Sequence, residues 1–375
     1  MRVRLGDYIK EYSVKNKNNE DIPVYSVSNS LGFCKDYFGK EVASKNKTTY
    51  KIVPRGCFAY NPSRINVGSI DWQNEEERVI VSPLYNVFSA SPLLDQQYLL
   101  YYLKSNVTQA RIKAVASGSV RDNLKLSMLY EFPIDLISLD QQYEVVSILN
   151  TVQKIIDLYQ KELSGLDELV RARFVEMFGD PRINDKKWKT GKIVDYFEVK
   201  GGKRIPKGMG YAERKTNHPY LRASDMKNAT ILDDDIHYID EEVYKRIKRY
   251  TVNAHDIYLT NVGVNLGMAG VIPKKYDGAN LTENAVKLVP KDKILLNGMF
   301  LSYYINSPGI QHYINERKMS VGVPKLAIFR IESMPLLLPP LELQNQFASF
   351  VEEIDKSRLR ELLAIKHIKL LLKNL

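Results

Sequence analysis

Cysteine is nearly missing from this chain. Of 375 residues only Cys34 and Cys57 carry a thiol, and neither has a Cys or His at metal-ligand spacing beside it. That argues against a disulfide framework or a zinc module and leaves two reduced thiols. The five histidines, His218, His237, His255, His312 and His367, form no His-x-x-x-His pair, so no metal is assigned. No run of 18 apolar residues exists, and Met1-Arg-Val-Arg-Leu-Gly-Asp7 leads into polar sequence rather than the apolar stretch of a signal peptide. The expected location is therefore the cytoplasm, away from any membrane. Pro- or Ser-rich tracts are lacking too, and with 44% apolar and 26% charged residues the chain reads as globular. It has no Gly-x-x-x-x-Gly-Lys-Ser/Thr phosphate loop and no Gly-x-Ser-x-Gly nucleophile elbow.

What the chain contains is an internal repeat. Tyr98-Leu-Leu-Tyr-Tyr-Leu-Lys-Ser105 returns as Phe300-Leu-Ser-Tyr-Tyr-Ile-Asn-Ser307, an offset of 202. The same offset carries Leu124 onto Leu326, Leu129 onto Ile331, Pro133 onto Pro335, Asp140 onto Glu342 and Gln142 onto Gln344. Upstream it slips to 200, pairing Tyr50 with Tyr250, Phe58 with Tyr258 and Asn61 with Asn261. It then slips to 199 over Asn66-Val-Gly68 against Asn265-Leu-Gly267. A period near 200 is too long for a solenoid and implies two copies of one domain plus what joins them. Two similar sites imply two similar ligands.

Net charge is +10, unevenly placed. Residues 1–138 carry 18 basic and 14 acidic side chains, residues 139–181 carry 4 and 8, residues 182–338 carry 26 and 17, and residues 339–375 carry 6 and 5. The basic excess sits in the repeated domains, as expected of a polyanion binder; a merely soluble basic protein is the other reading.

After Pro133 the pattern becomes three-four: Val145, Ile148, Val152, Ile155, Tyr159, Leu163, Leu166, Val170 and Phe174. This predicts a helix over 139–178, roughly 60 Å long, ended by Gly179-Asp-Pro181. The repeat supplies a partner from Leu341 through Phe347, Val351, Ile354, Leu362, Ile365, Ile368 or Lys369, and Leu372, with a polar interruption near Ser357-Arg358. The two seams are expected to bury each other in an antiparallel pair. The counterpart of Phe178 would fall at position 380, so the last turn is expected to fray. Short β-branched and aromatic runs at Val24–Val27, Ile52–Tyr60, Val79–Val81, Ile257–Leu259, Gly270–Ile272 and Ala285–Val289 predict strands, and each copy is expected to hold one helix, near 93–116 and 297–316. The fold class is α+β: two repeated mixed domains joined by two long helices forming an antiparallel coiled coil. The expected boundaries are 1–138, 139–181, 182–338 and 339–375.

Two enzymatic patterns are weak. Asn61-Pro62-Ser63 lacks the second proline and the aromatic of an amino-methyltransferase loop, and reads as a turn. Asp180 with Glu198-Val-Lys200 can be stretched into a metal-dependent nuclease pattern, but the first copy has no counterpart. Binding chemistry fits better. Arg55, Tyr60, Asn61, Arg64 and Asn66 cluster on one strand-turn, answered by His255, Thr260, Asn261 and Asn265 in the second copy. Arg and Asn form bidentate hydrogen bonds to guanine and adenine edges; for each residue singly, turn geometry is an equal reading. A second candidate is Ser117-Gly-Ser-Val-Arg-Asp-Asn-Leu124, matched by Met319-Ser-Val-Gly-Val-Pro-Lys-Leu326, each with one cation, Arg121 or Lys325. There glycine and serine let backbone amides approach a phosphate. The second copy adds Lys200, Lys203 and Arg204 in Lys200-Gly-Gly-Lys-Arg-Ile-Pro-Lys207, and Tyr244-Lys-Arg-Ile-Lys-Arg-Tyr250. Both suit a sugar-phosphate track, though the latter reads equally as a solvated helix face after Asp240-Glu-Glu242.

Together these features resemble the specificity subunit (S or HsdS) of type I restriction-modification systems, across essentially the whole chain. Phe132-Pro-Ile-Asp-Leu-Ile-Ser-Leu-Asp-Gln-Gln142 and Met334-Pro-Leu-Leu-Leu-Pro-Pro-Leu-Glu-Leu-Gln344 look like that family's Pro-rich strand running into an acidic, Gln-containing helix start, and Arg171-Ala-Arg-Phe-Val-Glu-Met-Phe-Gly-Asp-Pro181 like the end of its central helix. Where the family often has Gly-Gly-x-Thr-Pro, this chain has Gly201-Gly-Lys-Arg-Ile-Pro206, and the first copy lacks the element. The resemblance implies a non-catalytic subunit whose target-recognition domains each read half of a split site in double-stranded DNA, with helices that set the gap. It implies two methyltransferase (M) subunits as partners, and restriction (R) subunits beyond them. S-adenosylmethionine, ATP and Mg would serve those subunits, with no cofactor bound by this chain. The alternative is a fused methyltransferase or nuclease with its own recognition domains, which requires cofactor binding here; a coiled-coil adaptor, insensitive to DNA, is a third reading.

Overall fold

The structure, a computed structural model, describes residues 1–35, 46–116, 123–291 and 296–374. It divides into two compact units, Met1–Leu158 with Ile365–Leu375, and Tyr159–Ala364.

In the first unit, Arg2–Arg4 pairs antiparallel with Pro133–Asp135. A four-stranded antiparallel sheet follows in the order Ile9–Glu11, Asn86–Ala90, Phe58–Tyr60, Ile70–Trp72. Side chains alternate along each strand, so one face sends Phe58, Tyr60 and Phe88 against Leu99, Leu103 and Ile112 of the helices Gln96–Lys104 and Asn106–Ala116. The rings of Phe58 and Phe88 stack with centroids 5.0 Å apart. The opposite face gives Ala59 and Val87 to a second cluster with Val53, Val79 and Val81 of the paired strands Lys51–Pro54 and Arg78–Val81. The single run expected over Ile52–Tyr60 is two strands, divided where Gly56 takes a left-handed φ of 86°.

The second unit repeats this plan. Lys189–Lys192 pairs with Pro335–Leu338, and the sheet order is Phe197–Gly201, Ala285–Pro290, Ile257–Thr260, Ala269–Val271. Beside it lie a three-stranded sheet of His237–Tyr238, Pro219–Leu221 and Asn280–Leu281, and the hairpin Met226–Lys227/Thr230–Ile231. Ile257 and Leu259 face the helix side, whereas Tyr258 points to the other face and donates its hydroxyl to the Thr230 carbonyl at 2.7 Å. Phe58 therefore corresponds to Ile257, at offset 199. The pairing of Phe58 with Tyr258 is corrected, because a one-residue slip reverses every side chain of a strand.

In each copy the segment expected as one helix holds two. In the second unit Gly298–Asn306 and Pro308–Arg317 are separated at Ser307, which is extended at φ −65°, ψ 148° as a residue before proline tends to be. Ser105 has nearly the same angles, and its hydroxyl oxygen accepts from the Thr108 amide.

Helices run over Leu139–Phe178 and Leu341–Asn374. The central seam departs from expectation in its first half. Ile148 and Ile155 are 55% and 39% exposed, while Ile156 is 5% exposed and Leu149 half-buried. The inward row is Val145, Leu149, Val152, Ile156 and Tyr159, still at three-four spacing but shifted by one at two positions. Within the second unit the helices pair antiparallel. Phe347 meets Phe174 and Phe178 at 5.5 and 5.6 Å, while Arg358, further along, reaches back to Asp167 at 2.5 Å. The polar interruption near Ser357-Arg358 is thus an inter-helix ion pair, completed by Asp355 at 2.6 Å. Phe300 joins the ring cluster 4.7 Å from Phe178.

Two glutamines tie each domain to its helix in the same way. Gln142 is fully buried; its side-chain oxygen accepts from the Asp95 amide at 2.8 Å and its nitrogen donates to the Leu93 and Ile137 carbonyls. Gln344, also fully buried, accepts from Asn297 N–H at 2.8 Å and donates to the Pro339 carbonyl. Asp95 and Asn297 are N-caps of the preceding helices. The hydroxyls of Tyr102 and Tyr304 likewise donate to the carbonyls of Pro133 and Pro335.

Candidate nucleic-acid interface

The two loops singled out lie side by side in the second unit. In the second unit the Leu326 amide donates to the Asn261 carbonyl at 2.8 Å, the Gly263 amide to the Pro324 carbonyl at 2.9 Å, and Lys325 bridges both Val262 and Met319. In the first unit the Leu124 amide donates to the Pro62 carbonyl at 3.1 Å. Pro62 thus stands where Asn261 stands, again offset 199, which replaces the pairing of Asn61 with Asn261. Arg121 lies outside the described residues.

Several candidates are occupied inside the protein. Tyr60 is fully buried, donates to the Leu124 carbonyl at 3.1 Å and accepts from the Asn86 side chain at 2.9 Å; burial pushes its phenol far above the usual value. It holds the loop from within and offers no surface to DNA. Asn61 takes the turn reading: its side-chain oxygen accepts from the Ser63 amide and hydroxyl at 3.1 and 2.9 Å. Arg55, though exposed, is pinned to the Glu75 and Glu76 carbonyls. Asn261 is 6% exposed, with its side-chain oxygen unpartnered among the described residues and its amide reaching the Leu326 carbonyl at 3.4 Å.

Others are open. Arg64 and Lys325 are exposed with no side-chain partner among the described residues, Arg64 on the first unit's turn and Lys325 in the second unit's loop pair. Asn66 and Asn265 sit half-buried in the same turns, with Asn265 accepting through its carbonyl from the Thr260 hydroxyl. The following Gly68 and Gly267 take φ of 87° and 92°, which glycine alone adopts without strain.

In the basic run after residue 200, Lys200 pairs with Glu198 at 2.8 Å, Arg204 with Glu283 at 2.5 Å, and Lys203 lies over the Tyr250 ring at 5.7 Å. Burial alone would lift the Glu283 carboxyl, but the Arg204 and Thr282 hydrogen bonds outweigh it and hold the group below its usual value. Gly202 packs directly on backbone: a Cβ there would stand 2.0 Å from the Thr282 carbonyl oxygen, whereas at Gly201 it would meet only Ile328, at 3.9 Å. Residues 241–247 form a helix in which Lys245 and Arg246 pair with Glu241 and Glu242 one turn back, the solvated-face reading. Asp180 is held by Arg182, whose hydrogen bond lowers the carboxyl's pKa. Among the described residues, no three His, Cys, Asp or Glu side chains gather into a possible metal site, and no helix is long and apolar enough to cross a membrane.

What sequence reading missed are the glutamine ties, the close approach at Gly202 and the Arg358–Asp167 pair. The glutamines had a signal, recurring at one offset.

Fold and site define an internally repeated α+β protein, two mixed domains that each run into one helix of an antiparallel coiled coil, the second of them ending in a paired-loop face. The family model described as "Type I restriction modification DNA specificity domain" matches twice, over residues 4–168 and 185–367, and the chain belongs to that family. The MjaIX type I restriction enzyme specificity subunit of Methanocaldococcus jannaschii is 22% identical over 293 residues, 73% of this chain and 66% of that protein. The EcoKI specificity subunit of Escherichia coli K12 is 20% identical over 376 residues, 94% of this chain and 79% of its own length. A chain from a structure on complex assembly and conformational transition of the type I R-M system superposes with a TM-score of 0.63 at 14% identity, covering 100% of this chain and 95% of that one. The S subunit from M. genitalium does so with 0.54, also at 14% identity, covering 100% and 94%.

Proposed function

We propose that this chain is the DNA sequence-recognition subunit of a type I restriction-modification complex. Each domain, 1–138 and 182–338, reads one half of a bipartite target, while the helices at 139–181 and 339–375 set the spacing and dock two methyltransferase subunits. The chain itself performs no catalytic step. S-adenosylmethionine, ATP and Mg enter with the methyltransferase and restriction subunits, and the complex works on double-stranded DNA in the cytoplasm. The observation that carries this reading is the repeat: the same sheet, helix pair and tyrosine and glutamine ties occur twice, whereas the turn after the central strand differs, with Arg64 in the first copy where the 199 offset places Gly263 in the second. A shared scaffold with different loop chemistry suits two different half-sites.

The test is sequencing of adenine methylation in cells that express the neighbouring methyltransferase with this chain, without it, and with residues 182–338 exchanged for another family member's second domain. A split motif that requires the chain and changes only its second half on exchange is expected. A motif indifferent to the chain would refute the reading.

A further inference from the structure

Val264 and Val321 are each 97% exposed and Val323 66%, all on the paired-loop face of the second unit. Single exposed valines are ordinary, but these three are brought together. The Met319↔Lys325 bridge closes a hairpin with Gly322 at its apex, φ 79°, so Val321 and Val323 flank the tip. The Val262↔Lys325 bridge and the Gly263–Pro324 hydrogen bond carry the other loop alongside, so that Val264, which opens the turn closed by the Leu266 amide on the Gly263 carbonyl, and Val323 are the residues next to that hydrogen bond on the two loops. The charge along these loops is basic: from Arg317 to Arg330 the chain has four cations and no acidic residue, with Arg317 paired to the preceding Glu316 at 3.1 Å, and residues 261–268 carry no charge. Of these cations Lys325 has no side-chain partner among the described residues, and Lys318 spends one donor on Asn315 at 2.7 Å.

A surface that matches apolar points framed by cations is the major groove at a thymine, where a C5-methyl group projects between phosphates. We propose that this valine tip is a specificity determinant of the second domain, packing Val264, Val321 and Val323 on thymine C5-methyl groups while Lys318 and Lys325 hold the flanking phosphates. The inference rests on the DNA-recognition reading above and names what that domain reads.

The test uses the methyltransferase complex containing the full chain and duplexes in which each thymine of the second half-site is replaced by deoxyuridine, which lacks only the methyl group. At one or more positions affinity is expected to fall about fourfold per methyl lost. A Val264→Ala, Val321→Ala, Val323→Ala variant should bind thymine and uracil duplexes alike at those positions, with its melting temperature unchanged. Equal binding of uracil throughout the half-site, or a thymine preference that survives in the triple variant, would overturn the proposal. So would a triple variant that fails to assemble with the methyltransferase yet keeps its DNA preference, since the tip would then be a protein contact. If the domain exchange leaves the methylated motif unchanged, the DNA-recognition reading fails; if the exchange moves the second half-site and uracil is tolerated, only the valine assignment fails.

Discussion

Gly202 and Gly201 are neighbours with opposite constraints. A methyl at Gly202 meets the Leu281 and Thr282 carbonyl oxygens at 2.5 and 2.0 Å, and backbone cannot step aside as a side chain can. Gly202→Ala should therefore destabilise the second unit by about 1–3 kcal/mol, the usual cost of overpacking, whereas Gly201→Ala should leave the melting temperature nearly unchanged. The glutamine ties are a second residue-scale case. Gln344→Ala strands the half-buried Asn297 amide and the buried Pro339 carbonyl. Loss of about 1–3 kcal/mol is expected in denaturant unfolding, and Gln142→Ala should act comparably on the first unit. Both glutamines were visible in sequence as a repeated pair, but their task was not, because a polar residue at a helix start reads as solvated until its partners are known. Tyr60 shows the same limit: an aromatic on a polar turn suggests a nucleic-acid contact, and only packing shows it facing inward.

At the scale of elements, helix bounds were more legible than helix faces. Leu139, Phe178 and Leu341 emerge as termini in sequence and structure alike, since a three-four pattern and Gly179-Asp-Pro181 leave little choice. The inward face was ambiguous because Ile148 and Ile155 sit beside Leu149 and Ile156, and either set keeps the spacing. Ile156→Ala should cost about 2–5 kcal/mol, as for a buried large-to-small change. Ile155→Ala should cost under about 1 kcal/mol by thermal unfolding, so a reversed ranking would contradict the observed seam. The Arg358–Asp167 pair belongs to this scale too. With Arg358 only 19% exposed, it favours one register of the two helices.

For the molecule as a whole, the charge distribution and the repeat lead to the same expectation. DNA affinity of the assembled complex should fall steeply between low and physiological salt, as counterion release requires. Arg64→Ala should lower methylation at one half-site by about 1–3 kcal/mol in apparent affinity while sparing the other; an equal loss on every DNA sequence would mark a phosphate contact instead.

By itself the sequence determined the twofold plan, the α+β class, both long helices and the positions of the candidate loops, because periodicity and repetition are properties of residue order. Only the tertiary structure decided which offset relates the copies, which side of each strand and helix is inward, and which loop residues remain free. Those depend on contacts between residues far apart in the chain: Leu326 with Asn261, Gln142 with Asp95, Arg358 with Asp167. A one-residue slip is almost invisible in a pattern, yet it turns a side chain from core to solvent.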